Sequence, residues 1–330
     1  MASDLHIVIF PWSAFGHILP FFHFSKALAE KRFRGSPESL TSPPEWITFP
    51  SSVAFRGYEA KNMYPAIYGE NASGIRDAER VAKTVSGCQA IAVRSCIEFE
   101  GEYMDVYQKI MSKQVIPIGL LPPEKPEKRE ITDGTWKTIF EWLDNQEHES
   151  VVFVGFGSEC QLTKDQVYEI AYGLELSKLP YLWALRKPKW AATEFNNKTS
   201  EKGIVSIGWA PQLELLSHPS IGGSLFHSGW GSVIETLQYG LCLIVLPFIA
   251  DQGLNARLLV EKGLAVEVDR KEDGSFTRHD IAKSLRLAMA SEEGSQLKTR
   301  TKDAAPIFQN RKLHQDYINR FVKYLKDGVS

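Results

Sequence analysis

One repeated pattern in the second half of the chain limits its fold more than any other feature. Apolar runs at residues 151–156, 181–185, 204–207, 224–227, 242–247 and 265–268 are separated by stretches with helical spacing. Runs apolar at nearly every position are not one-faced strands, since both of their faces need cover. Short strands of this kind alternating with helices close as a parallel sheet between two helical layers. Two of the helices are expected to open on capping boxes, Thr163 with Gln166 and Ser232 with Glu235. The second half is therefore read as a complete, doubly wound α/β domain.

The first half follows the same grammar incompletely. A strand is expected at 5–10, a helix at 17–31, a helix near 75–85, a strand at 90–94, a helix at 99–111 and a strand at 115–120. Residues 34–50 hold four prolines among small polar residues and show no periodicity. Residues 122–129 are proline-rich, charged and without apolar anchors, as a linker is. The expected organisation is an incomplete domain over 1–121, a linker over 122–135 and a second domain over 136–330, with a terminal helix at about 307–326.

Composition removes several classes of function. Thirty-eight basic against forty acidic residues leave a net charge of −2, which does not suit a nucleic-acid binder. The longest nearly apolar run, 241–250, is interrupted by Pro247 and falls short of the roughly 18–20 residues of a membrane span. No stable membrane anchor is expected. Residues 1–6 carry no basic stretch and no apolar core, so no secretory signal is read there. Cys88, Cys96, Cys160 and Cys242 lie far apart without a C-x-x-C pair. They read as reduced, buried thiols of a cytoplasmic protein, and no metal site is expected.

The residues most informative about chemistry run from Trp209-Ala210-Pro211-Gln212 to Asp251-Gln252, a span of 252 − 209 + 1 = 44 residues. His218, His227-Ser228-Gly229-Trp230-Gly231-Ser232, Glu235, Gly240 and Pro247 lie between. An indole and an amide three residues apart at a strand-to-helix turn can stack a uracil and read its edge. The Ala210 backbone is placed to read the same ring. A glycine-rich turn that opens a helix offers N–H groups and a positive field to a diphosphate, with His227 and the Ser232 hydroxyl as added donors. Glu235 can accept from ribose hydroxyls, and Asp251 and Gln252 suit the hydroxyls of a hexose. Gly229 and Gly231 also form half of a dinucleotide fingerprint, but Ile234 stands at the third glycine position and that reading leaves Trp209 and Gln212 unexplained.

The order and spacing of this segment resemble the signature box of plant small-molecule UDP-glycosyltransferases. Similar resemblances link Phe10-Pro11 through Gly16-His17 and Pro20 to that family's N-terminal motif, and Trp142-Leu143-Asp144 with residues 151–158 to its entry into the donor domain. Residues 44–56 and 92–100 resemble the subgroup that extends existing glycosides. The resemblance implies a GT-B type fold of two Rossmann-like domains, with the terminal helix crossing back to the first. It implies donor contacts from Ser158, Trp209, Ala210, Gln212, His227, Trp230, Gly231, Ser232, Glu235, Asp251 and Gln252. His17 would be the catalytic base of an inverting transfer of a hexose from a UDP-sugar. The acceptor would be a hydroxyl of a flavonoid or terpenoid glycoside or a similar small molecule. No cofactor and no metal are implied, since the UDP-sugar is a co-substrate and there is no D-x-D pair.

Two departures stand out. Gly231 occupies a position where the family usually has asparagine. The family wording also breaks near residues 32–36 and resumes with a later passage, as though part of the first domain, including the aspartate that orients the histidine, were deleted. A non-catalytic UDP-sugar-binding remnant is the alternative reading, and an NAD-dependent oxidoreductase the distant one.

Overall fold

The computed structural model describes residues 36–70, 72–126, 133–157, 160–187, 198–199 and 202–327. The expected strand at 5–10, the helix at 17–31, His17 and Ser158 lie outside them. The chain divides into two compact units at Pro122/Pro123 and again at Pro306/Ile307, so its last residues group with its first.

The first unit begins with a 3-10 turn, Pro37–Leu40, and irregular chain. Helix α1 (Gly57–Tyr68) follows, which sequence periodicity did not suggest because Pro65 lies inside it. Its start is set by Glu59, whose Oε2 accepts from the Arg56 N–H at 2.8 Å. Next come α2 (Asp77–Gly87), β1 (Ala90–Val93), α3 (Ile97–Met111) and β2 (Gln114–Pro117). Strands β1 and β2 pair in parallel, and Val93, Met104, Tyr107 and Val115 form the small core beside them.

The second unit holds α4 (Gly134–Asp144), β3 (Val151–Gly155), α5 (Lys164–Ser177), β4 (Tyr181–Leu185), β5 (Lys198–Thr199), β6 (Gly203–Ile207), α6 (Gln212–Leu216), β7 (Ile221–Phe226), α7 (Trp230–Leu237), β8 (Cys242–Val245), α8 (Gln252–Glu261), β9 (Ala265–Glu267) and α9 (Arg278–Ala290). The seven strands are ordered β5-β6-β4-β3-β7-β8-β9. All pairings are parallel except that of β5, a two-residue edge strand antiparallel to β6, which the apolar pattern did not reveal. Alternate residues serve opposite faces. Val152 and Val154 join Trp183, Ile170 and Leu285 in one core, while Val151 and Phe153 join Leu182, Trp136 and Leu143 in the other. Both faces are covered, as near-continuous apolar strands require.

From β3 the chain winds outward through β4 and β6, then returns to the other side of β3 as β7 and winds outward again through β8 and β9. The reversal puts a switch point between β3 and β7, and in open α/β sheets ligands bind beyond the strand ends at such a point.

The capping box at Thr163 is present, with Thr163 Oγ1 accepting from Gln166 N–H at 3.3 Å and Gln166 Oε1 accepting from Thr163 N–H at 2.9 Å. The linker expected to reach 135 ends sooner, because Asp133 caps α4 at Gly134. The expected single helix at 307–326 is instead the end of α10 (Glu292–Gln309) and a separate α11 (Arg311–Asp327). Asn310 makes the break: its Oδ1 accepts from Leu313 N–H at 3.0 Å and starts α11 afresh.

Helix α11 is fastened within the first unit. The Tyr317 hydroxyl accepts from the Ile97 N–H at 3.0 Å and donates to Glu98 at 2.8 Å, which satisfies an open donor at the start of α3. His314 Nδ1 accepts from Leu120 N–H at 3.2 Å, so its Nε2–H donates to Ile307 O at 3.0 Å. Three of the cysteines are buried and Cys88 is half-buried rather than buried; all four are free. Burial pushes the Cys96 and Cys160 thiols up to about 12, so both stay protonated. Among the described residues no helix is long and apolar enough to cross a membrane.

Candidate donor site

The described residues singled out from the sequence, Trp209 to Gln252, lie in the second unit, on the turns and helix starts that follow β6, β7 and β8. The turn after β6 projects Trp209, which is 77% exposed, the most exposed large apolar side chain described. An indole held in water by a rigid strand end is a surface to stack on, not a core element. Ala210 is half-buried against the α4 side of the sheet, and its carbonyl accepts from the Gln212 N–H at 2.9 Å. Gln212 opens α6 and donates through Nε2 to Glu235 Oε2 at 2.6 Å. The amide expected at a base and the carboxylate expected at a ribose thus meet directly, although 23 residues separate them.

Beyond β7 the chain turns through His227, Ser228 and Gly229 into α7. The expected box of Ser232 with Glu235 is not formed. The helix starts at Trp230 with Gly229 as its N-cap, so Ser232 is already the third residue inside, and no side chain caps the end. The physical reason lies at Ser228, which takes a left-handed backbone (φ 60°) and turns the chain into the helix three residues before a serine cap would act. An uncapped helix start presents its first N–H groups and positive dipole end to the space in front of it. A Cβ at Gly231 would meet nothing within 4 Å. Ser232 is half-buried, whereas the Trp230 indole is only 2% exposed and offers a ligand no more than its backbone.

His227 is wedged between two glycines. A Cβ on Gly157 (φ 67°) would lie 3.0 Å from its Cε1, and one on Gly229 2.6 Å from its Nε2. Its Nδ1 is buried and has no hydrogen-bond partner among the described residues. Burial pushes the imidazole down to about 4. The ring is therefore neutral near pH 7, a donor through one nitrogen only.

Asp251 and Gln252 lie beyond β8 at the start of α8, not at the strand end, and both are buried. Gln252 Oε1 accepts from the Phe248 and Ile249 N–H groups at 2.9 and 3.0 Å; its amide nitrogen carries the remaining donors. Asp251 Oδ2 accepts from Asn255 Nδ2 at 2.8 Å. Asn255 and Ser228 were missed in the sequence. The available signal was the i, i+4 spacing of Asp251 and Asn255 on one helix face. Arg270 was missed as well; its guanidinium lies over Phe248 and Phe276, 4.7 and 5.4 Å from the ring centroids, and donates to Pro247 O, holding the loop that leads to Asp251. His218 is structural, its ring bonded to Ser220 at 2.8 Å and Asp144 at 3.1 Å. Among the described residues no group of three or more His, Cys, Asp or Glu is arranged to hold a metal ion.

The chain is similar to known proteins over most of its length. The family model described as UDP-glucoronosyl and UDP-glucosyl transferase matches residues 130–295. UDP-glycosyltransferase 91A1 of Arabidopsis thaliana is 39% identical over 305 residues, covering 89% of this chain and 65% of that protein. The soyasaponin III rhamnosyltransferase of Glycine max is 41% identical over 296 residues, covering 87% of this chain and 62% of that protein. The chain thus spans less than two thirds of the length of these relatives. A crystal structure of a UGT transferase from Siraitia grosvenorii in complex with UDP is similar at a TM-score of 0.74 and 26% identity, covering 95% of this chain and 76% of that one. The fold is the GT-B fold of the plant UDP-glycosyltransferases. On its sequence, its architecture and these matches, the chain belongs to the UDP-glucoronosyl and UDP-glucosyl transferase family.

Proposed function

We propose that this chain binds a UDP-sugar through its second unit and transfers the hexose to a hydroxyl of a small plant metabolite, in the glycoside-directed manner of the subgroup it resembles. The observation that carries the reading is the exposed Trp209 on the turn that leads to Gln212, whose partner Glu235 lies on α7, together with the uncapped start of that helix. The uracil stacks on Trp209, Gln212 and the Ala210 backbone read its edge, and Glu235 exchanges its bond to Gln212 for the ribose hydroxyls. The diphosphate sits before α7 and takes N–H donors from Trp230, Gly231 and Ser232, with His227 donating as a neutral imidazole. Fixed donors aimed at the departing UDP stabilise the charge that builds there as the glycosidic bond breaks. Such a site needs no metal. Ser158, Asp251 and Gln252 complete the donor set at the sugar.

His17 is the proposed base. A histidine at a helix start is disfavoured as imidazolium, so it accepts the acceptor's hydroxyl proton while that oxygen attacks the anomeric carbon from the side opposite UDP, and configuration inverts. A second reading, UDP-sugar binding without turnover, draws on the break in the family pattern near residues 32–36, where part of the acceptor wall and the carboxylate that would orient His17 are expected.

Calorimetric titration with UDP and with NAD tests the donor site: UDP should bind and NAD should not, and the reverse outcome ends this reading. Incubation with labelled UDP-glucose and UDP-rhamnose over a panel of phenolic glycosides separates the two readings. Product that disappears in His17→Ala supports transfer, whereas UDP binding with no product supports the non-catalytic one.

A further inference from the structure

One buried amide joins the two ends of the proposed donor site. The Asn255 side chain, 4% exposed, donates through Nδ2 to the Ser228 carbonyl at 3.0 Å and to Asp251 Oδ2 at 2.8 Å. Ser228 is fully buried in a backbone conformation that favours glycine, and such a residue persists only when its surroundings hold it. The first turn of α8 holds it from two sides: Asn255 grips its carbonyl, and its own Oγ shares one hydrogen between the Gln252 carbonyl at 2.7 Å and the His227 carbonyl at 2.5 Å. A primary amide has two hydrogens on one nitrogen, and here each has a separate acceptor. One acceptor belongs to the turn that aims α7, the other to the carboxylate at the sugar end. A carboxylate at position 255 would supply neither hydrogen, and a hydroxyl only one.

We propose that Asn255 is a positioning residue for the UDP-sugar: it ties the turn that faces the diphosphate to Asp251, so both are set in one frame before the ligand arrives. The inference rests on the donor-site reading above. Asn255 itself touches no ligand; it acts through Ser228 and Asp251.

The test is a calorimetric titration of UDP into the wild type, Asn255→Asp and Asn255→Ala, at a temperature at which near-UV circular dichroism shows each protein folded. Both variants should bind UDP about tenfold more weakly or worse, the usual scale for leaving buried acceptors unpaired. Asn255→Asp should do no better than Asn255→Ala at pH 8 despite its native shape. A purely packing role predicts instead a lowered Tm with the wild-type Kd for UDP in Asn255→Asp, and that result overturns the proposal. Failure of the wild type to bind UDP overturns the donor-site reading and is distinguishable from it.

A measurement on the wild type alone serves if neither variant folds. The Val233 and Asn255 amides, bonded to Gly229 O and Asp251 O at 3.0 Å each, lie on the two helices the amide joins. In hydrogen exchange without ligand they should open with one free energy and one denaturant dependence. Separate opening of the two would overturn the tether.

Discussion

His227 gives the sharpest test of how the site is built. Its imidazole is pushed by burial from an ordinary 6.5 down to about 4, a difference of roughly 2.5 units, or about 3 kcal/mol at 1.36 kcal/mol per unit. The folded state holds the ring neutral and the unfolded chain lets it take a proton. Stability linked to His227 is therefore complete above pH 6.5 and is lost as the pH falls from there to about 4, where the folded protein also becomes protonated. The perturbation is His227→Gln, which keeps a polar side chain and removes the titration. Unfolding free energies from urea melts of both proteins, taken between pH 7.5 and 4, would be subtracted at each pH so that carboxylates and His314 cancel. The difference should shrink by about 3 kcal/mol across that interval. A difference independent of pH would show that the ring is solvated in the folded state and that Gly157 and Gly229 do not enclose it. Bound UDP should oppose the effect, because a phosphate beside the ring favours the imidazolium, so the pKa of His227 followed by NMR should rise when UDP is added.

Two further substitutions probe the same crevice. Trp209→Ala should weaken UDP binding by about 1–3 kcal/mol, the usual worth of an aromatic stacked on a base, with little change in Tm because the indole is already in water; unchanged affinity in calorimetry removes the uracil from this position. Gly157→Ala should lower stability by about 1–3 kcal/mol, since it forces a left-handed alanine and brings a methyl against His227; a thermal melt that matches the wild type would mean the ring has room to move.

Much of the second unit was legible because its signals are local. Six apolar runs named six of its seven strands, since each is buried on both faces. Thr163 and Gln166 announced α5 because a capping box is contained within four residues. The same signal misled at Ser232, where a left-handed Ser228 starts α7 earlier. A serine's type does not reveal a positive φ, which here is set by the contacts around Ser228. Strand β5 was invisible because two residues at a sheet edge carry no period. Helix α1 was masked by Pro65, which weighs against a helix interior and yet is tolerated there.

The site was legible as a list of residue types at fixed offsets, but not as geometry. The bond between Gln212 and Glu235 and the burial of Asp251 depend on chain segments brought together only by the sheet. Asn255 has no distinguishing neighbour pattern except its spacing from Asp251. Its role emerges from the two acceptors that the fold places on either side of it.

Tyr317 and His314 have a consequence for how this polypeptide comes into being. The first unit is assembled from two stretches separated by all of residues 123–306, and its α3 start and Leu120 amide find their partners on α11. On a ribosome that emits the chain from its first residue, the intervening unit has every one of its strands available while the opening unit still waits for its last helix. The part made first is finished last, and in the interval the Ile97 and Leu120 amides must rely on water or on chaperones. Released chains truncated after residue 306 should therefore carry a protease-resistant second unit and a protease-sensitive first one.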